Sequence, residues 1–218
     1  MAGITPFYRG FGGNYRVYEP RGFEGMAAEW EAAIRHHATW VEIVTWNDWG
    51  EASYICPFGA PADTALWDGH WGRELSHTGF LDASRYYVQW FKTGTPPPIT
   101  RDEVHYFYRL HPQSLPSRIK PGEDPLGRPG GADALEDSVF ATCFLKAPAR
   151  LTIHSGATSQ TFDLAAGVHH VSMPFALGPQ RFVLERDGQP ILDKLGEHEI
   201  TQDTWSDFNV FAGSAEGE

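Results

Sequence analysis

The stretch that decides the fold runs from Trp40 to Ile55 and reads WVEIVTWNDWGEASYI. Its first seven residues, WVEIVTW, are mostly apolar or favour β-structure, and they predict a buried strand. The strand leads directly into NDWGE, residues 47–51, which places two carboxyl groups beside tryptophans. This pattern is typical of a functional site, although a solvated acidic loop over a tryptophan-rich core would produce it too.

Strand and helix patterns alternate on both sides of that stretch. MAGITPFY, residues 1–8, predicts a short strand, and FEGMAAEWEAAIRHHA, residues 23–38, has apolar residues at helical spacing. After a long loop, LDASRYYVQWFKTG, residues 81–94, predicts a second amphipathic helix that ends at Gly94 and the prolines behind it. Residues 1–98 therefore contain two strand–helix units.

From Ile99 onwards the pattern changes to alternation with period two and frequent turn residues. Six stretches predict strands: EVHYFYRL (103–110), DSVFATCFL (137–145), ARLTIHS (149–155), SQTFDL (159–164), HHVSMPF (169–175) and RFVLERDGQPIL (181–192), the last with an Asp-Gly hairpin turn. We expect an antiparallel β-sandwich over residues 99–218, packed on the second helix, without a helix of its own. The residues predicted inside it are Phe140, Phe144, Leu151, Ile153, Phe162, Phe182 and Leu184.

The fold class is therefore α/β followed by all-β. Alternating strands and helices build barrels or doubly wound sheets, and both place their sites at the carboxyl ends of the strands. Residues 47–51 lie at such an end. A closed eight-fold barrel needs about 250 residues, so the first 98 residues hold only two units of eight.

Composition limits the classes of function. The chain has 218 residues, 41% of them hydrophobic, which is enough to bury a core, and its net charge of −11 disfavours nucleic acid and anionic membranes as partners. No apolar run could span a bilayer, and no signal peptide is recognisable. Metal-ligand spacings and phosphate loops are missing, so we expect no metal and no cofactor. Cys56 and Cys143 are expected to be free thiols.

The two carboxyl groups fit glycoside hydrolysis. A four-residue turn from Asp48 to Glu51, with Gly50 at positive φ in its third position, would bring the two side chains to either side of one bond. The spacing allows both the retaining and the inverting geometry. Trp46 and Trp49 could stack on sugar rings, as could Trp67 and Trp71 in the loop that follows; these four complete the expected aromatic surface.

These residues also carry a resemblance to a known family. VEIVTWNDWGEASYI resembles the signature of glycoside hydrolase family 71, the endo-α-1,3-glucanases or mutanases, in which a strand leads into Trp-Asn-Asp-Tyr-Gly-Glu-Ser-His-Tyr-Ile. MAGITPFY, LSHTGFLDASRYYVQWFKTGTPPPIT and the β-rich tail resemble that family in the same order. The resemblance covers most of this chain but only the C-terminal half of the enzyme. Trp49 departs from the usual Tyr, and Ala52-Ser53 departs from Ser-His.

The resemblance implies an inverting hydrolase that cleaves α-1,3-glucan. It further implies that residues 1–98 are the last two βα units of a catalytic (β/α)8 barrel and that residues 99–218 are its C-terminal β-sandwich. Asp48 and Glu51 match the paired acids, with Glu51 taken as acid and Asp48 as base. The implied substrate-binding residues are Trp46, Asn47, Trp49, Tyr54 and His77. The family also implies a polysaccharide substrate and an extracellular location, although no signal for export is seen.

Two alternatives remain open at this point. A glycosidase of the related family 99 type also pairs two acids around a tryptophan, and the product anomer and linkage would separate the two families. A non-catalytic, carbohydrate-binding or structural remnant is the second alternative, because six barrel units are missing from the sequence. For the same reason, we expect the 218-residue chain alone to hydrolyse glucan slowly or not at all.

Overall fold

The computed structural model describes residues 1–10, 14–57, 65–68, 72–117 and 127–217. In chain order its helices and strands are β1 (Ala2–Ile4), α1 (Glu24–Arg35), β2 (Val41–Ile43), β3 (Ala65–Asp68), β4 (Gly72–Leu75), α2 (Thr78–Thr93), β5 (Glu103–Tyr108), β6 (Ser138–Leu145), β7 (Ala149–Ser155), β8 (Thr158–Leu164), β9 (Gly167–Pro174), β10 (Gln180–Arg186), β11 (Gln189–Leu195) and β12 (Phe211–Glu216). None of the described helices is long and apolar enough to cross a membrane. Cys56 and Cys143 are free, as predicted.

The N-terminal part is a β–α–β arrangement. Strands β1 and β2 are parallel, with Ala2 opposite Val41 and Ile4 opposite Ile43, and α1 connects them. The buried face of α1 includes Met26 and Trp30, at the helical spacing seen in the sequence. The first strand–helix unit is therefore confirmed.

Helix α2 also follows the sequence pattern. It buries Phe80, Ala83 and Tyr87 on one face. It ends at Gly94, whose φ of 75° is left-handed and whose N–H donates to the Trp90 carbonyl at 2.8 Å. Glycine adopts that conformation without a Cβ penalty, which explains why the helix stops where the sequence predicted.

The segment around β2 differs from the prediction. Only Val41–Ile43 form a strand, because the partner strand β1 is itself only three residues long. Trp40 is 74% exposed and Trp46 is 57% exposed, so the ends of the stretch are not buried. The long loop before α2 contains an antiparallel hairpin, β3–β4, that periodicity did not reveal.

The C-terminal part consists of two four-stranded antiparallel sheets packed face to face. Their strand orders are β12-β5-β6-β9 and β11-β10-β7-β8. Tyr106 of β5 stacks on Phe182 of β10 across the interface, with ring centroids 4.5 Å apart. Of the residues predicted inside, Leu151, Ile153, Phe182 and Leu184 are confirmed, and Phe162 is partly buried at the margin of the same core.

The prediction was wrong for Phe140 and Phe144. Both lie on the opposite face of β6 and pack into the core around α1 and α2, while Val139 and Cys143 face the second sheet. Strand β6 is buried on both faces, so its apolar run gives no signal for which residues point which way. The short 3-10 helix Ala132–Ala134 was also not predicted.

Strand β12 attaches the sandwich to α2. Its sequence, FAGSAE, is rich in small residues and was not predicted as a strand, yet it pairs with β5 along its whole length. A Cβ built on Gly79 of α2 would lie 2.7 Å from the Gly213 carbonyl oxygen, so the helix packs directly on the strand backbone. The Ala212 N–H donates to the Ser76 carbonyl at 2.8 Å. The residues just before α2 and the start of β12 are therefore neighbours.

Candidate active site

The candidate site lies at the carboxyl ends of β1 and β2. Because the two strands are parallel, the segments that follow them leave the sheet at the same edge. The Val44 N–H donates to the Ile4 carbonyl at 2.9 Å, and the Arg9 N–H donates to the Glu51 carbonyl at 2.9 Å. The segment after β1 therefore packs against the loop that carries both predicted acids.

That loop is closed by hydrogen bonds at its base. The Thr45 N–H donates to the Ser53 carbonyl at 2.9 Å, and the hydroxyl oxygens of these two residues are 3.1 Å apart. The Asp48 N–H donates to Thr45 Oγ1 at 2.9 Å. Ser53 is buried, so the serine that departs from the family signature contributes to closing the loop in this chain.

Asp48 and Glu51 lie on one turn inside this loop, and both are half-buried. The Glu51 N–H donates to Asp48 Oδ1 at 3.0 Å, so the first acid holds the backbone of the second. Gly50 does not have the positive φ expected of it; Ala52, with a φ of 51°, takes the left-handed position instead. In the part of the chain that the structure describes, neither carboxylate is in an ion pair with an arginine or lysine.

The aromatic and amide side chains around the turn have different exposures. Trp46 and Asn47 are exposed beside it, and the Trp49 ring is partly buried against Tyr54, with centroids 4.4 Å apart. Trp71 and the side chain of Trp67 lie outside the described residues. Trp46, Asn47 and Trp49 are thus brought together with the acids.

Tyr54 and His77 lie below the loop and not on its surface, because both are 0% exposed. Their rings stack at 4.2 Å, and His77 Nδ1 is 2.9 Å from the Tyr54 carbonyl oxygen. Burial lowers the pKa of His77 to about 4, against the opposite effect of its hydrogen-bonding oxygens. Burial also raises the pKa of the Tyr54 hydroxyl. The direct substrate contact predicted for these two side chains does not agree with their burial, and we correct it to a supporting position.

Sequence reasoning missed the residues that complete this support. Asn209, just before β12, is 1% exposed and contacts both Tyr54 and His77. Arg9 is 4% exposed and its Nη1 donates to the Asp207 carbonyl at 2.9 Å. Arg9 could have been found as a residue that closely follows a predicted strand end. Asn209 had no such signal, since it lies far along the chain in a segment without a motif.

A pair of tyrosines was missed as well. Tyr8 and Tyr18 stack at 6.2 Å with ring planes 12° apart, and Tyr18 is 39% exposed. Tyr8 directly precedes Arg9, whose N–H holds the Glu51 carbonyl. The pair therefore lies on the segment after β1 that packs against the acid-bearing loop.

Comparison with known proteins decides the family. The chain matches the model of glycosyl hydrolase family 71 over residues 2–218. It belongs to that family. One similar protein is a mutanase of Penicillium rubens. It is 33% identical over 193 residues, which cover 86% of this chain and 42% of that protein.

Two proteins of Schizosaccharomyces pombe are also similar. One is a glucan endo-1,3-alpha-glucosidase, 29% identical over 189 residues, covering 84% of this chain and 42% of the relative. The other is an ascus wall endo-1,3-alpha-glucanase, 25% identical over 186 residues, covering 80% and 41%. This family 71 chain thus matches about two fifths of each relative's length. No solved structure matches it.

The family match confirms the resemblance seen in the sequence and favours family 71 over family 99. Among the described residues, no group of His, Cys, Asp and Glu side chains is arranged to hold a metal ion. The turn itself presents two carboxyl groups, an exposed indole and an amide.

Proposed function

We propose that this chain carries the acid pair and the C-terminal part of a glycoside hydrolase that cleaves α-1,3-glucan. One observation carries the proposal: a single turn at the carboxyl end of β2 holds Asp48 and Glu51, half-buried and without a cationic partner in the described ranges. Family membership supports it, since the similar proteins are named as a mutanase and as endo-1,3-alpha-glucan hydrolases.

The fold proposal is that residues 1–98 are the last two units of a (β/α)8 barrel and residues 99–218 a C-terminal sandwich. The parallel β1–β2 pair, the helix between them and the site at the carboxyl edge all agree with a barrel. The relatives are more than twice as long as the matched region, which leaves room for the other six units.

The proposed mechanism is single displacement with inversion. Glu51 donates its proton to the glycosidic oxygen as the bond from that oxygen to C1 breaks, and the leaving sugar departs as an alcohol. Asp48 removes a proton from water, whose oxygen attacks C1 from the opposite face. Asp48 Oδ1 accepts the Glu51 N–H at 3.0 Å, which fixes on the turn the side chain that takes this proton.

Substrate binding is assigned to the exposed side chains near the turn. The indole of Trp46 and the amide of Asn47 are available to a sugar ring and its hydroxyl groups. The partly buried Trp49 ring, which packs on Tyr54, and the stacked pair Tyr8 and Tyr18 are further candidates for contact with sugar. Aromatic faces of this kind bury the apolar face of a sugar ring.

The test measures release of reducing ends from α-1,3-glucan, with α-1,4- and β-1,3-glucan as substrate controls. It compares the 218-residue chain with an extended chain, which carries any sequence encoded upstream of Met1; each is prepared as wild type, Asp48→Asn and Glu51→Gln. Glu199→Gln is the matched control, because Glu199 is an exposed carboxylate of the sandwich, between β11 and β12, with no role in the proposal. The product anomer, read by proton NMR early in the reaction, distinguishes inversion from retention.

We expect both acid substitutions to abolish hydrolysis in the extended chain and Glu199→Gln to leave it unchanged. The 218-residue chain should be far slower, because two strands supply only one wall of a pocket and cannot hold the substrate between acid and base. Full activity in either acid variant would refute the assignment. An extended chain that binds α-1,3-glucan without cleaving it would instead support the non-catalytic alternative.

A further inference from the structure

We propose that Asn209 is a positioning residue for the Asp48–Glu51 turn. Asn209 belongs to the C-terminal sandwich, whereas the turn belongs to the strand–helix units. The catalytic consequence of this proposal rests on the proposed function, whereas its structural part does not. Asn209 is 1% exposed, so it acts on the turn through other side chains and not on the substrate.

The orientation of the Asn209 amide is fixed by its own neighbour. The Val210 N–H donates to Asn209 Oδ1 at 2.9 Å, which identifies that atom as the oxygen. Nδ2 is therefore the donor toward the Tyr54 hydroxyl oxygen at 3.2 Å. That hydroxyl in turn donates to the Leu75 carbonyl at 2.6 Å, so both of its hydrogen-bonding functions are used. The amide fixes one end of the Tyr54 ring.

The Asn209 amide also contacts the His77 ring. His77 Nε2 is 3.0 Å from Asn209 Oδ1, and the other ring nitrogen is 2.9 Å from the Tyr54 carbonyl. The two rings are nearly parallel, 8° apart. One side chain thus holds the two rings together in a buried place, where water cannot replace a lost hydrogen bond.

The stacked Tyr54 and His77 rings are linked to the acid turn by Trp49. The Trp49 ring contacts the Tyr54 ring, with centroids 4.4 Å apart, and Trp49 lies between Asp48 and Glu51 in the sequence. A second link comes from the same segment: the Asp207 carbonyl accepts from Arg9 Nη1, and the Arg9 N–H donates to the Glu51 carbonyl. The segment before β12 therefore supports both sides of the acid turn. Loosening it shifts the carboxyl groups relative to the bond that is cleaved.

The test uses Asn209→Ala, with Asn209→Asp as a second variant that keeps the shape and the acceptor for the Val210 N–H. The matched control is Gln180→Ala. Gln180 is also a fully buried amide, whose Nε2 donates to the Gly178 and Ala176 carbonyls in the second sheet, away from the turn. Hydrogen–deuterium exchange of the peptides that cover residues 45–56 is measured in the 218-residue chain, and kcat and KM are measured in the extended chain.

We expect Asn209→Ala to speed exchange in residues 45–56 and to lower kcat by about 10- to 100-fold with little change in KM, because the acids are displaced. Gln180→Ala should leave exchange and kcat in that region unchanged. Asn209→Asp should fall between wild type and alanine, and it decides the outcome if the alanine variant does not fold.

Unchanged exchange of residues 45–56 in a folded Asn209 variant would overturn the proposal, whatever the activity. So would equal effects of Gln180→Ala, since they would indicate general loss of stability. Faster exchange limited to the Asn209 variants, in a protein that hydrolyses no glucan, would uphold the positioning role and reject the proposed function.

Discussion

The buried imidazole of His77 leads to a quantitative prediction for stability. Its pKa is lowered to about 4 in the folded chain, chiefly because the ring is 0% exposed, and the charge of Arg9 acts in the same direction. In the unfolded chain the ring has an ordinary pKa of about 6.5. Between these two values the unfolded state binds a proton that the folded state does not.

The sign follows from this difference. The contribution of the neutral ring to the free energy of unfolding is complete above pH 6.5 and is lost as the pH falls through 4. For the shift from 6.5 to about 4, stability should fall by about 2–3 kcal/mol between pH 7.5 and pH 4.5 through this group alone.

The assay is urea unfolding of the 218-residue chain, followed by tryptophan fluorescence at a series of pH values. Wild type is compared with His77→Gln, which removes the titration, so the contributions of other groups cancel in the difference between the two proteins. We expect the wild-type advantage to shrink by about 2–3 kcal/mol as the pH is lowered from 7.5 to 4.5. A difference that stays constant across that range would refute the reasoning.

Three further predictions concern other parts of the chain. Asp102→Asn should lower the free energy of unfolding in urea by about 3 kcal/mol, because Asp102 is fully buried and accepts two hydrogen bonds of 2.8 Å from Arg186. An unchanged midpoint of urea unfolding would contradict this. Gly79→Ala should lower the free energy of unfolding by about 1–3 kcal/mol, since a Cβ there would lie 2.7 Å from the Gly213 carbonyl oxygen. A melting temperature equal to that of wild type would contradict this. Trp46→Ala should raise KM for α-1,3-glucan in the extended chain without changing the melting temperature, because the ring is 57% exposed; an unaltered KM would remove Trp46 from the binding surface.

Much of the fold was predictable because local signals determine it. The apolar spacing of α1, the Gly94 stop of α2 and the Asp-Gly turn between β10 and β11 all act within a few residues of chain. The errors arise where burial is set by a distant partner. Phe140 and Phe144 face the helices because α1 and α2 cover the outer face of β6, and no pattern within β6 records that.

The candidate site likewise combines contacts that are local in the sequence with contacts between distant residues. Asp48 and Glu51 are three positions apart, so a turn that joins them can be inferred from sequence. Tyr54 and Asn209 are 155 positions apart, and their contact depends on how β12 packs on α2. For the same reason the sequence could not tell that Tyr54 and His77 are buried supports, because a binding ring and a supporting ring are the same residue types.

The sandwich is therefore part of the site and not an appended module. If the chain were cut after residue 98, the Tyr54 hydroxyl would lose the Asn209 amide, His77 Nε2 would lose both of its oxygen partners, and Arg9 Nη1 would lose the Asp207 carbonyl. These bonds would be exchanged for bonds to water at a net cost of about 0.5–1.5 kcal/mol each, and the apolar faces of α1 and α2 would be exposed to water in addition. Each large apolar side chain exposed costs about 1.5–3 kcal/mol more, so together these losses approach the whole stability of a typical domain, about 5–15 kcal/mol. The acid turn at β2 therefore depends for its geometry on residues that follow the last strand of the second sheet, and the two parts of this chain must fold as one.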